Sequence, residues 1–194
     1  MLKVRRDEVK SLPEYEPVRD QSRREVIELK KRRRVILGEC LSLVFENRRT
    51  VVHQIQEMMR TEHLYGEPEI LHEIETYNRL IPDDNEISAT LFIEVDDPPA
   101  IKPTLDRLRG LDDGRSLCLR LGDLPPIYAI FEAGHSNEEK ISAVHYLRFV
   151  LDANAQAALR SGAPGAFVMD HPRYRAETAL RDETRQQLID DLTA

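Results

Sequence analysis

A group of carboxylate and imidazole side chains lies along residues 47–64, where apolar residues recur at the spacing of an amphipathic helix. His53 and Glu57 are four residues apart, so they share one face of that helix, and Glu62 and His63 follow near its end. Carboxylate oxygens and imidazole nitrogens bind iron and zinc, so the pattern is compatible with a metal site. A solvated helix face is the competing interpretation, and it is favoured because exposed charges are common.

A second pair on the same helix, Gln56 and Arg60, suits specific hydrogen bonds. These two residues are again four apart and share a face. Gln54 adds another amide nearby, and paired glutamines are not the usual composition of an exposed helix face. The pair is therefore a candidate for contacts with a ligand.

His145 lies in the segment 140–151, which the residue pattern predicts to be a β-strand. On a strand it shares one face with apolar neighbours, which favours a buried histidine held by one or two hydrogen bonds. A titrating or ligand-binding histidine is the alternative. Arg148 lies on the opposite face, where an ion pair with Glu94 or Glu86 of another strand is the default interpretation.

Two shorter motifs favour structural interpretations. Glu69 and His72 have the ExxH spacing of ferritin-like di-iron sites, but such sites need two copies. The other copy in this sequence contains Gly134 and falls in a predicted turn. Asp170 and His171 are adjacent, and neighbours in sequence seldom hydrogen-bond as the members of a catalytic triad do.

The formal net charge of −7 opposes binding to nucleic acid. Residues 30–34 are all basic, but they lack interleaved aromatic residues and complement the C-terminal pole of a helix. Cys40 and Cys118 are far apart in apolar segments, which is typical of buried thiols in a reducing cytoplasm. The first ten residues lack the apolar region of a secretory signal, and no apolar run approaches the ~20 residues of a membrane span. A cytoplasmic protein is therefore predicted.

Hydrophobic periodicity predicts one α+β domain over residues 22–194, preceded by an irregular arm over residues 1–21. The predicted strands are 35–45, 86–95, 116–121, 126–133, 140–151 and 165–170. The predicted helices are 23–33, 47–64, 68–78, 98–109, 152–161 and the C-terminal segment. Because several strands follow one another in the middle of the chain, we expect a mostly antiparallel sheet flanked by helices. A homodimer is a further expectation, resting on three leucines of the last helix, Leu180, Leu188 and Leu192.

Five segments together resemble an uncharacterised bacterial family of about 200 residues. They are KKRRRV (30–35), FENRRTVVHQIQEMMRTE (45–62), IPDDNEISATLFIE (81–94), EKISAVHYLRF (139–149) and DHPRY (170–174). Members of this family are encoded near rubrerythrin-like proteins and cysteine-rich iron–sulfur oxidoreductases, so the resemblance implies a redox system and a partner of one of these kinds. It supplies no catalytic residue. The positions that match the family pattern include Glu46, Asn47, Arg48, Gln54, Gln56, Glu57, Arg60, Glu62, Glu94, His145 and Arg148.

The favoured interpretation is a non-enzymatic accessory or binding protein without a cofactor. Its candidate ligand-contacting residues are Gln56, Glu57, Arg60, Glu94, His145 and Arg148. The rival is a metal-dependent protein or enzyme that holds a divalent metal such as iron or zinc. Its ligands would be His53, Glu57, Glu62, His63 and His145. The favoured interpretation expects the polar face of helix 47–64 and the histidine of strand 140–151 to lie apart.

Overall fold

The structure is a computed structural model that describes residues 1–133 and 141–193. The strands are β1 Arg34–Leu37, β2 Leu41–Phe45, β3 Glu86–Ile93, β4 Leu117–Leu121, β5 Ile127–Tyr128, β6 Ile130–Phe131, β7 Val144–Val150, β8 Gly165–His171 and β9 Tyr174–Ala179. The α-helices are α1 Leu12–Tyr15, α2 Arg19–Arg32, α3 Arg48–Thr61, α4 Glu67–Asn78, α5 Pro98–Arg107, α6 Ala153–Arg160 and α7 Asp182–Asp191. Short 3-10 turns lie at Arg6–Glu8 and Glu16–Val18.

The strands form two antiparallel sheets, so the predicted α+β fold is confirmed. The first sheet has the order β1-β2-β3-β7-β6, and the second has the order β5-β4-β8-β9. The segment predicted as one strand over 126–133 is divided at Ala129, and β5 and β6 join different sheets. The N–H of Ala129 donates to the carbonyl of Leu117 at 2.9 Å. This segment therefore connects the two sheets.

Two clusters of buried apolar residues lie on opposite faces of the first sheet. Ile87, Ala89 and Leu91 of β3 point into the first cluster, which also contains apolar residues of the second sheet and of α7. The second cluster contains the apolar face of α3, the residues Ile70 and Ile74 of α4, and apolar residues of the N-terminal arm. The first sheet thus separates its buried strand row from the helix that carries the predicted polar site.

α3 begins where its sequence provides a reciprocal cap. The side-chain oxygen of Asn47 accepts from the N–H of Thr50 at 3.0 Å, and the Thr50 hydroxyl accepts from the N–H of Asn47 at 3.0 Å. Its buried residues Val51, Ile55 and Met59 follow the helical repeat, as predicted. Among the polar residues between them, Gln56 and Glu57 contact the arm, whereas Gln54 contacts Glu46.

Residues 35–45 are not one strand, as predicted, but the hairpin of β1 and β2. Gly38 has φ of +70°, which favours glycine, and Leu37 lies opposite Leu41 in the register. Because this register keeps the apolar residues of both strands on one face, the alternation continues across the turn and conceals it. The turn is also held from outside, since the hydroxyl of Tyr174 donates to the carbonyl of Leu37 at 2.6 Å.

The chain termini differ from the prediction as well. The arm over residues 1–21 is not irregular, because it contains helical turns and the first residues of α2, which begins at Arg19 rather than at 23. The predicted helix after residue 174 begins only at Asp182, since β9 comes first and pairs with β8. The strand predicted over 140–151 is β7, while residues 134–140, which include a predicted turn, lie outside the described residues. In the described ranges, no helix has both the length and the apolar character required to cross a bilayer.

The last helix does not offer the apolar surface on which a dimer was predicted. Leu180, Leu188 and Leu192 are buried in the first cluster of the same chain, because α7 packs against the core. Homo-oligomerisation stays a prediction, and these leucines no longer support it.

Candidate functional site

Gln56 holds the N-terminal arm against α3. Its side-chain amide donates to the carbonyl of Lys10 at 3.0 Å and its oxygen accepts from the N–H of the same residue at 2.7 Å. Gln56 is buried, so these two hydrogen bonds replace the ones that its side-chain amide and the Lys10 backbone would otherwise make with water. A residue predicted to contact a ligand therefore contacts the chain's own backbone.

Glu57 and Arg60 anchor the same arm through ion pairs. Glu57 accepts from Nε and Nη2 of Arg19, both at 2.8 Å, and from the hydroxyl of Tyr15 at 2.8 Å. These bonds, those of Arg19 first, lower the pKa of Glu57 to about 2. Arg60 donates to Glu16 at 2.6 Å. We call this set the arm clamp; it comprises Lys10, Tyr15, Glu16, Arg19, Gln56, Glu57 and Arg60.

His53 and His63 do not complete a metal site with Glu57. Nδ1 of His53 lies 3.4 Å from the Tyr15 hydroxyl, and burial lowers the pKa of His53. His63 follows the end of α3 with φ of +55°. Within residues 1–133 and 141–193, no group of three or more His, Cys, Asp or Glu side chains could hold a metal ion. The described residues therefore contain no assembled set of the kind that the metal-dependent alternative requires.

His145 lies on the face of the first sheet that is turned away from α3. It shares that face of β7 with the buried Leu147 and Phe149, whereas Tyr146 packs against the second cluster beside α3. Its Nε2 lies 2.9 Å from the carbonyl of Ser142, and the ring meets Phe131 edge-on with centroids 5.9 Å apart. The sheet thus separates the histidine from the polar face of the helix.

Glu94 and Arg148 take part in separate ion pairs on the outer face of the sheet. Arg148 pairs with Glu86 at 3.3 Å, as the cross-strand interpretation predicted. Glu94 pairs with Arg34 and accepts from the hydroxyl of Ser42 at 3.0 Å. The six residues predicted to contact a ligand are consequently not brought together at one place.

The basic run and the short motifs also have structural roles. Arg33 is buried and pairs with the buried Asp191, so the run of basic residues is not a continuous exposed patch. Glu69 accepts from the N–H of Gly66 at 3.2 Å at the start of α4. His171 is buried with its Nε2 3.0 Å from the carbonyl of Arg109. Both cysteines are free and buried, as predicted.

A cleft of about 620 Å³, which the sequence did not predict, lies on the outer face of the first sheet. It lies between the segment 78–83 and strands β3 and β7, and we call it the outer cleft. Its lining residues are Lys3, Glu46, Glu75, Asn78, Arg79, Leu80, Ile81, Pro82, Asp83, Glu86, Ser88, Ala89, Ile130, Glu132, Tyr146, Leu147 and Arg148.

Glu46 is the most deeply buried charged residue of the outer cleft, with 2% of its surface exposed. One carboxylate oxygen accepts from the Thr90 hydroxyl at 2.7 Å. The other accepts from the Gln54 amide at 2.9 Å and lies 2.5 Å from the Thr50 hydroxyl. All three groups are neutral, so they stabilise the carboxylate without cancelling its charge. Glu46 lies between β2 and the cap of α3, a position that could have drawn attention to it in the sequence.

The mouth of the outer cleft carries charges of both signs. Lys3 pairs with Asp83 at 3.2 Å, and Arg148 pairs with Glu86 as described above. Arg79 at the end of α4 is exposed. Tyr146 lines the cleft, and burial, followed by the negative charges of Glu46 and Glu132, raises its pKa.

The N-terminal arm also holds one wall of the outer cleft. The N–H of Val4 donates to Asn78 at 2.8 Å, and the Asn78 amide donates to the Val4 carbonyl at 3.0 Å. Lys3 donates to the carbonyl of Ile81 at 2.6 Å, and the N-terminal ammonium of Met1 pairs with Asp84 at 3.1 Å. The wall formed by residues 78–83 thus depends on an arm that the clamp fixes at its other end.

The comparisons with known proteins identify a family but no activity. Residues 3–192 match DUF3501, a family described as a protein of unknown function. No curated protein matches the chain. The fold is similar to a crystal structure of a novel protein of unknown function from Burkholderia pseudomallei, with 36% identity and a TM-score of 0.91 over 98% of this chain and 99% of that chain. The resemblance to an uncharacterised family is confirmed, and the chain belongs to the DUF3501 family.

Proposed function

We propose that this chain is a non-enzymatic accessory protein that binds a partner or a small ligand in the outer cleft. The observation that carries the proposal is the outer cleft itself, with a buried carboxylate at its base. Its volume of about 620 Å³ lies within the range of roughly 300–1,000 Å³ that ligand sites occupy. The groups of the arm clamp, by contrast, are already bonded to one another.

The chemistry of the lining favours binding over catalysis. None of the described residues that line the outer cleft is a histidine or a cysteine, the side chains most often used for proton transfer and nucleophilic attack near neutral pH. Tyr146 is a poor proton donor near neutral pH, because its pKa is raised. A site of this composition is suited to recognising a charged and partly apolar group.

The proposed setting comes from the sequence resemblance alone. It implies a redox system, with a rubrerythrin-like protein or a cysteine-rich iron–sulfur oxidoreductase as the partner. No contact within the described residues favours the metal-dependent alternative, since its helix ligand Glu57 is held by Arg19 and Tyr15. Releasing Glu57 would require the arm to leave α3.

Capture of a defined partner tests the proposal. The chain, purified with a tag that contains no histidine, would be mixed with a purified cysteine-rich iron–sulfur oxidoreductase or rubrerythrin-like protein from the same genome. We expect a complex with one of them on size exclusion, and elemental analysis should find no stoichiometric iron, zinc or manganese in the free chain.

A matched pair of surface variants identifies the binding surface. Ile130→Lys places a long side chain in the outer cleft, whereas Ile101→Lys makes the same change on α5, and both isoleucines are more than 40% exposed. Only Ile130→Lys should abolish the complex. Equal binding by both variants would contradict a role for the outer cleft, and stoichiometric metal that is lost in Glu57→Ala would favour the metal-dependent alternative.

A further inference from the structure

We infer that the outer cleft binds the ammonium group of a primary alkylamine, with Glu46 as its counter-charge. This inference rests on the proposed function, because it specifies the chemistry of the group that the outer cleft receives. The group could belong to a free amine or to a lysine side chain of a partner protein.

Glu46 places a buried carboxylate at the base of the outer cleft. Buried carboxylates are usually paired with a cation, because a lone buried charge is costly. In the described part of the chain, no cationic side chain forms a salt bridge with Glu46. Arg33 donates to the backbone carbonyl of Glu46 at 3.1 Å, but its charge is paired with Asp191.

The charges of the described lining residues also favour a cation. Apart from Glu132, they comprise four carboxylates, those of Glu46, Glu75, Asp83 and Glu86, and three cations, those of Lys3, Arg79 and Arg148. Two of these cations are paired, Lys3 with Asp83 and Arg148 with Glu86. Arg79 remains exposed at the mouth. The described lining is therefore net negative, which favours a cationic ligand over an anionic one.

An aromatic ring and an exposed aliphatic side chain line the same cleft as the carboxylate. Tyr146 offers a ring that can attract a cation, and Ile130, which is 44% exposed, offers apolar surface to an alkyl chain. An ammonium donates and does not accept, which matches a carboxylate with about one of its four acceptor sites left after three neutral contacts. A lysine side chain or a free alkylamine has both parts.

Calorimetric titration of the full chain with small probes tests the inference. The probes are n-butylamine, n-butyrate as the anion of similar size, and Nα-acetyl-lysine methylamide as a lysine side chain in a peptide setting. We expect at least one of the two amines to bind with a Kd of about 1 mM or tighter, and butyrate not to bind. Tighter binding of the lysine derivative assigns the group to a partner protein, and tighter binding of butylamine assigns it to a free amine.

Three variants locate the bound ammonium. Glu46→Gln keeps the shape and most hydrogen bonds but removes the charge, and it should weaken amine binding at least tenfold. Arg79→Gln removes the cation at the mouth, and it should leave amine binding unchanged or strengthen it. Ile130→Lys supplies a tethered ammonium and should block both amines, and it provides the answer if Glu46→Gln does not fold.

The outcomes separate this inference from the proposed function. Preferential binding of butyrate, or amine binding that Glu46→Gln and Ile130→Lys leave unchanged, overturns the assignment of a cation. Absence of amine binding overturns it as well. In each case the proposed function survives if Ile130→Lys still abolishes the complex with the redox partner, and it fails if that complex is unaffected.

Discussion

The arm clamp and the outer cleft use buried and half-buried carboxylates in opposite ways. In the arm clamp, Glu57 receives a guanidinium from Arg19 and a hydroxyl from Tyr15, so its charge is compensated within the chain. In the outer cleft, Glu46 is more deeply buried and is contacted only by neutral donors. Both residues lie on or beside α3.

The difference shows why conspicuous residues of a helix need not form its functional site. A side chain whose charge is already balanced by another part of the fold gains little from a ligand. A carboxylate that is held in place and left uncompensated gains more, because the cost of burying it has been met by the fold. Variants that change the charge in either region test whether the two carboxylates differ in this way.

The largest effect is expected from Arg33→Met. Arg33 forms its ion pair with Asp191 and contacts only the backbone of Glu46. The variant therefore leaves the Asp191 carboxylate buried without a cation. It should lower the free energy of unfolding by about 3–5 kcal/mol, measured by urea denaturation. Arg32→Met is the control, because Arg32 is exposed and should change stability by less than about 0.5 kcal/mol. A loss below about 1 kcal/mol for Arg33→Met would contradict the pairing of Arg33 with Asp191.

A smaller effect is expected from Glu57→Gln in the arm clamp. The variant weakens the bonds to Arg19 and Tyr15, and it should cost about 1–2 kcal/mol because Glu57 is partly exposed to water. Limited proteolysis should cut the arm sooner while the two sheets stay protected. Glu62→Gln, an exposed carboxylate at the end of α3, is the control and should behave as the unmodified chain. Equal cleavage of both variants would show that Glu57 does not anchor the arm.

Acid should release the arm through the same carboxylate. The pKa of Glu57 is about 2 in the fold and 4.5 ordinarily, so the unfolded state binds a proton at higher pH than the native state. The stabilisation is fully present above about pH 4.5 and is lost as pH falls towards 2. The amide signal of Lys10, which donates to Gln56, reports arm docking by NMR. A low-pH transition of that signal that is the same in Glu57→Gln would contradict this origin.

The smallest effect is expected from Arg148→Gln at the mouth of the outer cleft. Arg148 is about half exposed, and its ion pair with Glu86 spans 3.3 Å. Exposed ion pairs contribute little to stability because water and salt screen them. The shift of the thermal midpoint should therefore correspond to a change below about 0.5 kcal/mol in the free energy of unfolding. Arg34→Gln removes a comparable exposed pair elsewhere on the sheet and should change the midpoint by a similar amount. A loss above about 1 kcal/mol only for Arg148→Gln would assign the mouth a structural role.

The sequence predicted the structure correctly where a local residue pattern is compatible with only one arrangement in the fold. The repeat of Val51, Ile55 and Met59 predicted the buried face of α3, and alternation in β3 predicted its buried row. The prediction was wrong where one pattern fits two structures. The hairpin of β1 and β2 was predicted as a single strand because its turn preserves the alternation. The strand β9 was missed because its alternating residues are mostly polar and charged.

The candidate site was harder to predict than the fold. The prediction left Glu94 and Glu86 open as partners of Arg148, because alternation gives the face of a strand but not the register, and the structure pairs it with Glu86. Gln56 and Glu57 were recognised as unusual, but their partners come from an arm more than 35 residues away in the chain. Glu46 was named only among the positions that match the family pattern, and its role was missed because its partners Gln54 and Thr90 come from other elements.

Residue order alone predicts the α+β class, the amphipathic helix α3, the buried row of β3 and the membership of an uncharacterised family. These depend on periodicity and on local residue order, which each segment carries without its neighbours. The tertiary structure alone decided which charges are compensated, because ion pairs and clefts join segments far apart in the chain. That the arm satisfies Glu57 while leaving Glu46 to neutral donors follows from how the arm, α3 and the first sheet pack.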